Sequence, residues 1–355
     1  DATSGLELHI RESVAENAYL DEAKLILVDH PEGSEIWSSG DESTNEWGYV
    51  APFRVYSGTA PRVPIAATDR SGRDVLPSVL AQDNQPAPVE PGTVENDYTF
   101  DFGEILSPEN AKLIFDGWSV YLYRAPLDVQ PFIEAETSDG NWVTVTKFGA
   151  PYGDLKSVAV DLGGKLPEHA RRLRVHLGLE QGARWVIDRV RFDESAPVEL
   201  EMLELEPTRA DLMHRGRATL NRATIRSRQD ALDDESPDEP RQYGYGAYTR
   251  YGDIRELLTS TDDRYAIFRH GDQISFKFPG AKAPKSGWVR SVILKVNVLM
   301  KTFYFSNTVE PLPFRGMTAY PYDDSETYPT DLLHRSYLNE FNTRIYSPTD
   351  AQGQP

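Results

Sequence analysis

Hydrophobic and polar residues alternate in short runs along most of this chain, and few stretches keep a helical period. Leu6-Glu-Leu-His-Ile10 and Tyr98-Thr-Phe-Asp-Phe102 each switch sides at every residue, the pattern of half-buried strands, and Trp142-Val-Thr-Val-Thr146 reads as a further strand. Tyr19 to Asp29 predicts a longer strand that ends in a turn at His30-Pro31, and Phe53 to Tyr56 and Val63 to Ala66 add two short ones. Between 93 and 196 roughly eight short strands follow at intervals of about ten residues, which indicates a β-sandwich or jelly roll. They include Ala111–Phe115, Ser119–Tyr123, Phe132–Glu136, Ser157–Asp161, Arg172–Leu177 and Trp185–Phe192. Asp116-Gly117 reads as a turn between two of them, and Asp139-Gly140 as a hairpin.

Further on, Glu199 to Glu206 alternates as a strand. Tyr265–Phe268 and Gln273–Phe278 straddle His270-Gly-Asp272 and predict a strand-turn-strand hairpin. Trp288 to Met300 supplies one or two longer strands. Helical spacing is confined to Asp331–Phe341, through Leu332, Leu333, Tyr337, Leu338 and Phe341, and to a short turn at Arg255–Leu258 that Asp253 is placed to cap. The fold class expected is all-β, a multi-domain β-sandwich or jelly-roll architecture with few short helices. Gln82 to Gly92, rich in Pro, Asp and Asn, reads as a linker. Three regions result: an N-terminal β-rich domain over 1–92, a galactose-binding-like jelly roll over 93–196, and a C-terminal β-rich domain over 197–355.

Composition narrows the partners. The 355 residues carry 56 acidic against 37 basic side chains, a net charge of −19 that repels phosphate backbones and argues against nucleic acid as a partner. No apolar run approaches the ~18 residues of a membrane span. There are no cysteines, so disulfides, thiolate zinc sites and cysteine catalysis are excluded. The chain opens Asp1-Ala-Thr-Ser-Gly5 without an initiator Met, as expected of a protein whose targeting segment has been removed, of a piece of a longer polypeptide, or of simple trimming.

Catalytic chemistry finds little to stand on. The seven histidines are scattered, with no His-x-His or His-Glu-x-x-His pair, and there is no Gly-x-Ser-x-Gly elbow. His270 beside Asp272 is a general-base pair only on paper, since a histidine in a hairpin usually just meets solvent. Glu134 and Glu136 share one strand face, but neighbouring surface carboxylates usually face water. Asp69-Arg-Ser-Gly-Arg-Asp74 is a polar turn that resembles a cation loop only loosely, with two Arg among the candidate oxygens. No catalytic residue, cofactor or metal ligand is assigned.

Aromatic residues carry the remaining candidates. Tyr243, Tyr245, Tyr248 and Tyr251 punctuate the Tyr/Gly-rich stretch 243–253 and are candidate contact residues; the competing reading folds this stretch over its own core. Trp118, Tyr121 and Tyr123 either stack on a ligand or pack a core, and alternating strand aromatics pack a core more often.

The central region resembles galactose-binding-like jelly rolls through Phe100-Asp-Phe102 and Ile187-Asp-Arg-Val-Arg-Phe192. A broader resemblance rests on Tyr248-Thr-Arg-Tyr-Gly-Asp253, on the spacing from Asp262 to Asp272, on Gly287-Trp-Val-Arg290, on Val309-Glu-Pro-Leu-Pro-Phe-Arg-Gly-Met317 and on Tyr19 to Pro31. These elements are similar to C-terminal extensions of exported bacterial proteins that combine FG-GAP/VCBS repeats with an ASPIC/UnbV segment, the cartilage acidic protein relatives. The propeller repeats themselves are missing, and with them any assignable calcium loop. What the resemblance implies is an extracytoplasmic, β-rich, non-catalytic protein of the periplasm or cell surface. It would act as an accessory subunit, docked by protein–protein contact on a larger extracytoplasmic or membrane-associated assembly. The alternative is a carbohydrate-binding module with a structural calcium, taking a glycan through the central jelly roll.

Overall fold

The computed structural model describes residues 5–12, 16–39, 53–88, 96–105, 107–121, 131–148, 155–177, 179–180, 183–218, 235–236, 246–269, 271–302 and 329–346. These residues form an all-β, multi-sheet architecture with one α-helix among them. Packing divides the chain into two compact units, one made of Asp1–Asp29, Glu201–Ser286 and Arg290–Pro355, the other of His30–Leu200 and Gly287–Val289. This grouping runs differently from boundaries at 92 and 196. The reason is strand pairing between segments far apart in the chain: Leu6–Arg11 pairs with Asp272–Phe278, and Glu35–Ser39 lies beside Lys156–Asp161.

The His30–Leu200 unit stacks two sheets on one apolar core. A six-stranded sheet runs Leu179–Glu180, Ala183–Asp193, Lys112–Tyr121, Lys156–Asp161, Glu35–Ser39, Val55–Gly58; a five-stranded sheet runs Ala66–Asp69, Asn96–Asp101, Arg172–Leu177, Phe132–Glu136, Trp142–Lys147. Leu113, Phe115, Val158, Val160 and Phe192 of the first meet Tyr98, Phe100, Ile133, Leu173 and Val175 of the second. Alternation along each strand makes one face of each sheet apolar, and fully burying each large side chain is worth ~1.5–3 kcal/mol. The Asp139-Gly140 hairpin forms as expected: Thr137 N donates to Asn141 O at 2.8 Å, and Gly140 takes the left-handed φ of 80° that the turn requires.

Two expectations in this unit are corrected. Asp116-Gly117 is no turn; Lys112–Tyr121 runs straight through it as one strand. The Asp116 carboxylate is fully buried and held by Arg189 and Ser157 Oγ. At Gly117 an added Cβ would lie 2.3 Å from Val186 O, so glycine serves close strand approach here. Opposite this pair the partner strand bulges between Ile187 and Arg189. The extra residue, Asp188, shifts the alternation so that Ile187 and Val190 both reach the core. Gln82–Gly92, expected as a linker, is stitched to the sandwich over its described residues. Asn84 N donates to Asp188 Oδ2 at 3.1 Å, Ala87 N to Ile187 O at 2.7 Å, and Tyr98 OH to Pro88 O at 3.0 Å.

The other unit is also built of two principal sheets. One runs Leu6–Arg11, Asp272–Phe278, Arg209–His214, Gly252–Asp253; the other runs Glu201–Leu205, Glu16–Pro31, Ala266–Arg269, with Trp288–Thr302 also paired to Glu16–Pro31. Tyr19, Leu25 and Leu27 share its core with Ile267, Leu212, Ile274, Phe276, Tyr248, Tyr337 and Phe341. The hairpin expected around His270 does not form, because Ala266–Arg269 and Asp272–Phe278 belong to different sheets. The backbone between them is satisfied from outside instead: Gly271 N donates to Glu12 O at 3.0 Å, and Arg215 N to Gly271 O at 2.8 Å. His270 itself lies outside the described residues.

The helix forms over Leu332–Phe341, with Asp331 as its N-cap accepting from His334 N at 3.0 Å. Its buried face is His334, Tyr337 and Phe341, while Leu332 and Leu333 are exposed. Arg255–Leu258 is a single 3-10 turn, and Asp253 Oδ1 accepts from Arg255 N at 3.0 Å.

Candidate interaction surfaces

Of the tyrosines singled out in 243–253, Tyr243 and Tyr245 lie outside the described residues, and the other two part company. Tyr248 is only 1% exposed, and its hydroxyl donates to Asn17 Oδ1 at 2.9 Å, so its ring packs the core. Tyr251 is 41% exposed and sits at the edge of a polar node. At that node the Asp272 carboxylate is fully buried. It accepts from Tyr251 OH at 3.0 Å, Arg344 Nη2 at 2.7 Å and Arg269 N at 3.2 Å, with His214 Nδ1 at 3.3 Å. Burial alone would raise this carboxyl, but His214, Arg344 and the Arg269 amide outweigh it and hold it below the usual carboxylate range. Burial pushes the Tyr251 hydroxyl upward, with the Asp272 charge adding to it.

Arg344 is the centre of an aromatic cluster. Its Cζ lies 4.1 Å from the Tyr251 ring centroid, 5.6 Å from Tyr248 and 5.7 Å from Tyr346. Sequence reading missed Arg344, His214 and Asp272 as partners: His214 faces Asp272 across paired strands, while Arg344 comes from a strand of a different sheet.

On the sandwich, Trp118 is half-buried in the strand Lys112–Tyr121. The side chain of Tyr121 and all of Tyr123 lie outside what is described. The outer face of the five-stranded sheet carries a grid of paired charges. His176 lies between Asp97 Oδ1 at 2.9 Å and Glu134 Oε2 at 2.8 Å, with Phe132 stacked on it at 4.1 Å. Burial disfavours the charged ring, yet the two carboxylates outweigh it and raise the His176 pKa above its ordinary value. Glu134 and Glu136, on one strand face, are paired with Arg174 and Arg172. Arg174 also covers the Trp142 ring, its Cζ 3.8 Å from the centroid.

The third surface is apolar. Val292, Leu294, Val296 and Val298 alternate along the strand Trp288–Thr302 and so point to one side. Their exposures are 47%, 39%, 39% and 38%, and none of them joins the core. In the same strand Arg290 is bound by both oxygens of Asp29, at 2.6 and 2.7 Å, and Lys295 by Glu22 at 3.0 Å. These ion pairs fasten the strand to Glu16–Pro31.

The Asp69–Asp74 turn spends its carboxylates on itself. Asp69 accepts from Ser71 N, Ser71 Oγ, Arg73 N and Arg73 Nε, and Asp74 from Leu76 N. Among the described residues no group of three or more His, Asp or Glu is placed to hold a metal, and no helix is long and apolar enough to cross a membrane. No family model matches the chain, and no curated protein matches it.

Proposed function

We propose that the chain is an exported, non-catalytic interaction protein, an accessory subunit that docks on a larger extracytoplasmic or membrane-associated assembly. The row Val292, Leu294, Val296, Val298 carries this reading: four aligned aliphatic side chains with about two fifths of their surface in water cost free energy that a partner would recover. The occupant is a protein that brings an apolar strand or sheet face rimmed by basic residues. A net charge of −19 opposes docking of a second copy and favours a basic surface. The resemblance to extensions of exported FG-GAP/VCBS and ASPIC/UnbV proteins supports the compartment and the contact role. The sandwich is read as a galactose-binding-like jelly roll, but glycan binding has less support, since Arg174 already occupies a face of Trp142.

Photocrosslinking tests this. A crosslinker placed at position 296 of the full chain, in native membranes, is expected to give one discrete adduct with a protein bearing a basic surface. The adduct disappears in Leu294→Asp, and none forms from a crosslinker at position 7. Equal labelling from both positions, or no adduct from 296, would reject the docking face.

A further inference from the structure

Independently of that reading, we propose that the segment Gly246–Asp253 is a receptor for an arginine-bearing β-strand, filled in this structure by the chain's own C-terminal strand Arg344–Tyr346. The backbone part is an antiparallel ladder in which Gly246 faces Tyr346, Ala247 faces Ile345 and Tyr248 faces Arg344. The side-chain part is a complete guanidinium site. Nη2 of Arg344 donates to Asp272 Oδ2 at 2.7 Å, Nε to Thr249 O at 3.1 Å, and Nη1 to the hydroxyls of Tyr251 and Tyr346. Tyr251 and Tyr248 supply ring faces at 4.1 and 5.6 Å. A planar cation with donors on three nitrogens is matched here at every nitrogen, which an ammonium group cannot reproduce.

Two observations separate a receptor from an ordinary core contact. First, its parts are positioned without the arginine: Asp272 is held by Tyr251 OH, His214 and the Arg269 amide, and Tyr248 by Asn17. Second, the occupant is short, and of its side chains only alternate ones hold it. It is three residues long, its middle residue Ile345 is 66% exposed, and its anchors are Arg344 and the Tyr346 ring, 5.4 Å from Tyr248. A short extended segment lying along a strand, with one side chain in a shaped polar pocket, is how strand-addition domains hold peptides.

The test uses the full chain and a fluorescent peptide with the sequence of residues 342–347. Wild-type protein is expected to bind it poorly, because the tethered strand competes at high effective concentration. Arg344→Ala is expected to bind it at least tenfold more tightly than wild type does. A peptide with Lys in place of the arginine should lose at least tenfold, and Arg344→Ala combined with Asp272→Asn should show no binding. Arg344→Lys, which keeps a cation beside Asp272, serves as receptor if Arg344→Ala does not fold. A folded receptor variant that ignores the peptide at millimolar concentration, or takes the Arg and Lys peptides equally, would overturn the proposal.

Discussion

Asp272 and Arg344, 72 residues apart in sequence, meet as a buried ion pair with Nη2 2.7 Å from Oδ2. The carboxylate is fully buried and the arginine side chain nearly so. A buried pair of this kind adds modest net stability, but removing one partner strands the other charge. Arg344→Ala is therefore expected to destabilise the Asp1–Asp29, Glu201–Ser286, Arg290–Pro355 unit by ~3–5 kcal/mol, measured by urea unfolding. The pH dependence has a definite sign. A carboxyl whose pKa is lowered on folding contributes stability above the unfolded value of ~3.9, and that stability is lost as pH falls through the lowered folded value. Wild-type protein should lose stability below about pH 4, and Asp272→Asn should remove part of that slope.

Asp21 works in the opposite sense and in a different window. It is buried between the amides of Asp262 at 3.2 Å and Asp263 at 3.4 Å, with both of their carboxyls nearby. Burial, helped by those two charges, pushes its pKa up to about 7 although the two amides oppose the rise. The unfolded chain releases this proton near pH 4 while the native chain keeps it, so stability falls as pH climbs from about 4 to about 7 and then levels. The effect is on the order of a few kcal/mol. Asp21→Asn should flatten this slope; unfolding midpoints at pH 4.5, 6 and 8 that fall as steeply as in wild type would contradict the assignment.

His176 gives a third window. Flanked by Asp97 and Glu134, its folded pKa is raised, so its contribution is fully present below the unfolded value of ~6.5 and lost as pH rises through the folded one. An NMR titration of the ring should report a midpoint above that of an exposed histidine. In Asp97→Asn the midpoint should fall.

Gly117→Ala tests the close approach in the sandwich. Its new Cβ would meet backbone, Val186 O, at 2.3 Å, and neither strand can yield without disturbing the Asp188 bulge. A loss of about 1–3 kcal/mol in thermal or urea unfolding is expected, with no change in net charge to confuse the reading.

Much of the fold was legible in the chain itself. Alternation in runs such as Tyr98–Phe102 and Arg172–Leu177 reports one buried face, because successive strand residues point to opposite sides. The helix Leu332–Phe341 was legible through its helical spacing, although that spacing also enlisted Leu332 and Leu333, which face solvent, and did not single out His334, which is buried, or Asp331 as the cap. Asp116-Gly117 misled because local turn propensity competes with burial of Asp116 against Arg189 and with a crowded glycine, both set by another strand. The signal that could have found the bulge was Ile187 and Val190 at a spacing of three, which strict alternation does not allow.

Local patterning, then, determined that this chain makes strands, where most of them lie, and which face of the alternating runs turns inward, since those follow from backbone geometry over a few residues. Tertiary structure alone decided which strands are neighbours. It put Leu6–Arg11 beside Asp272–Phe278, sent Ala266–Arg269 and Asp272–Phe278 into separate sheets, and brought Arg344 to Asp272, Tyr251 and Thr249. Strand pairing is a long-range choice settled by the fit of whole apolar faces, and no spacing along the sequence encodes it.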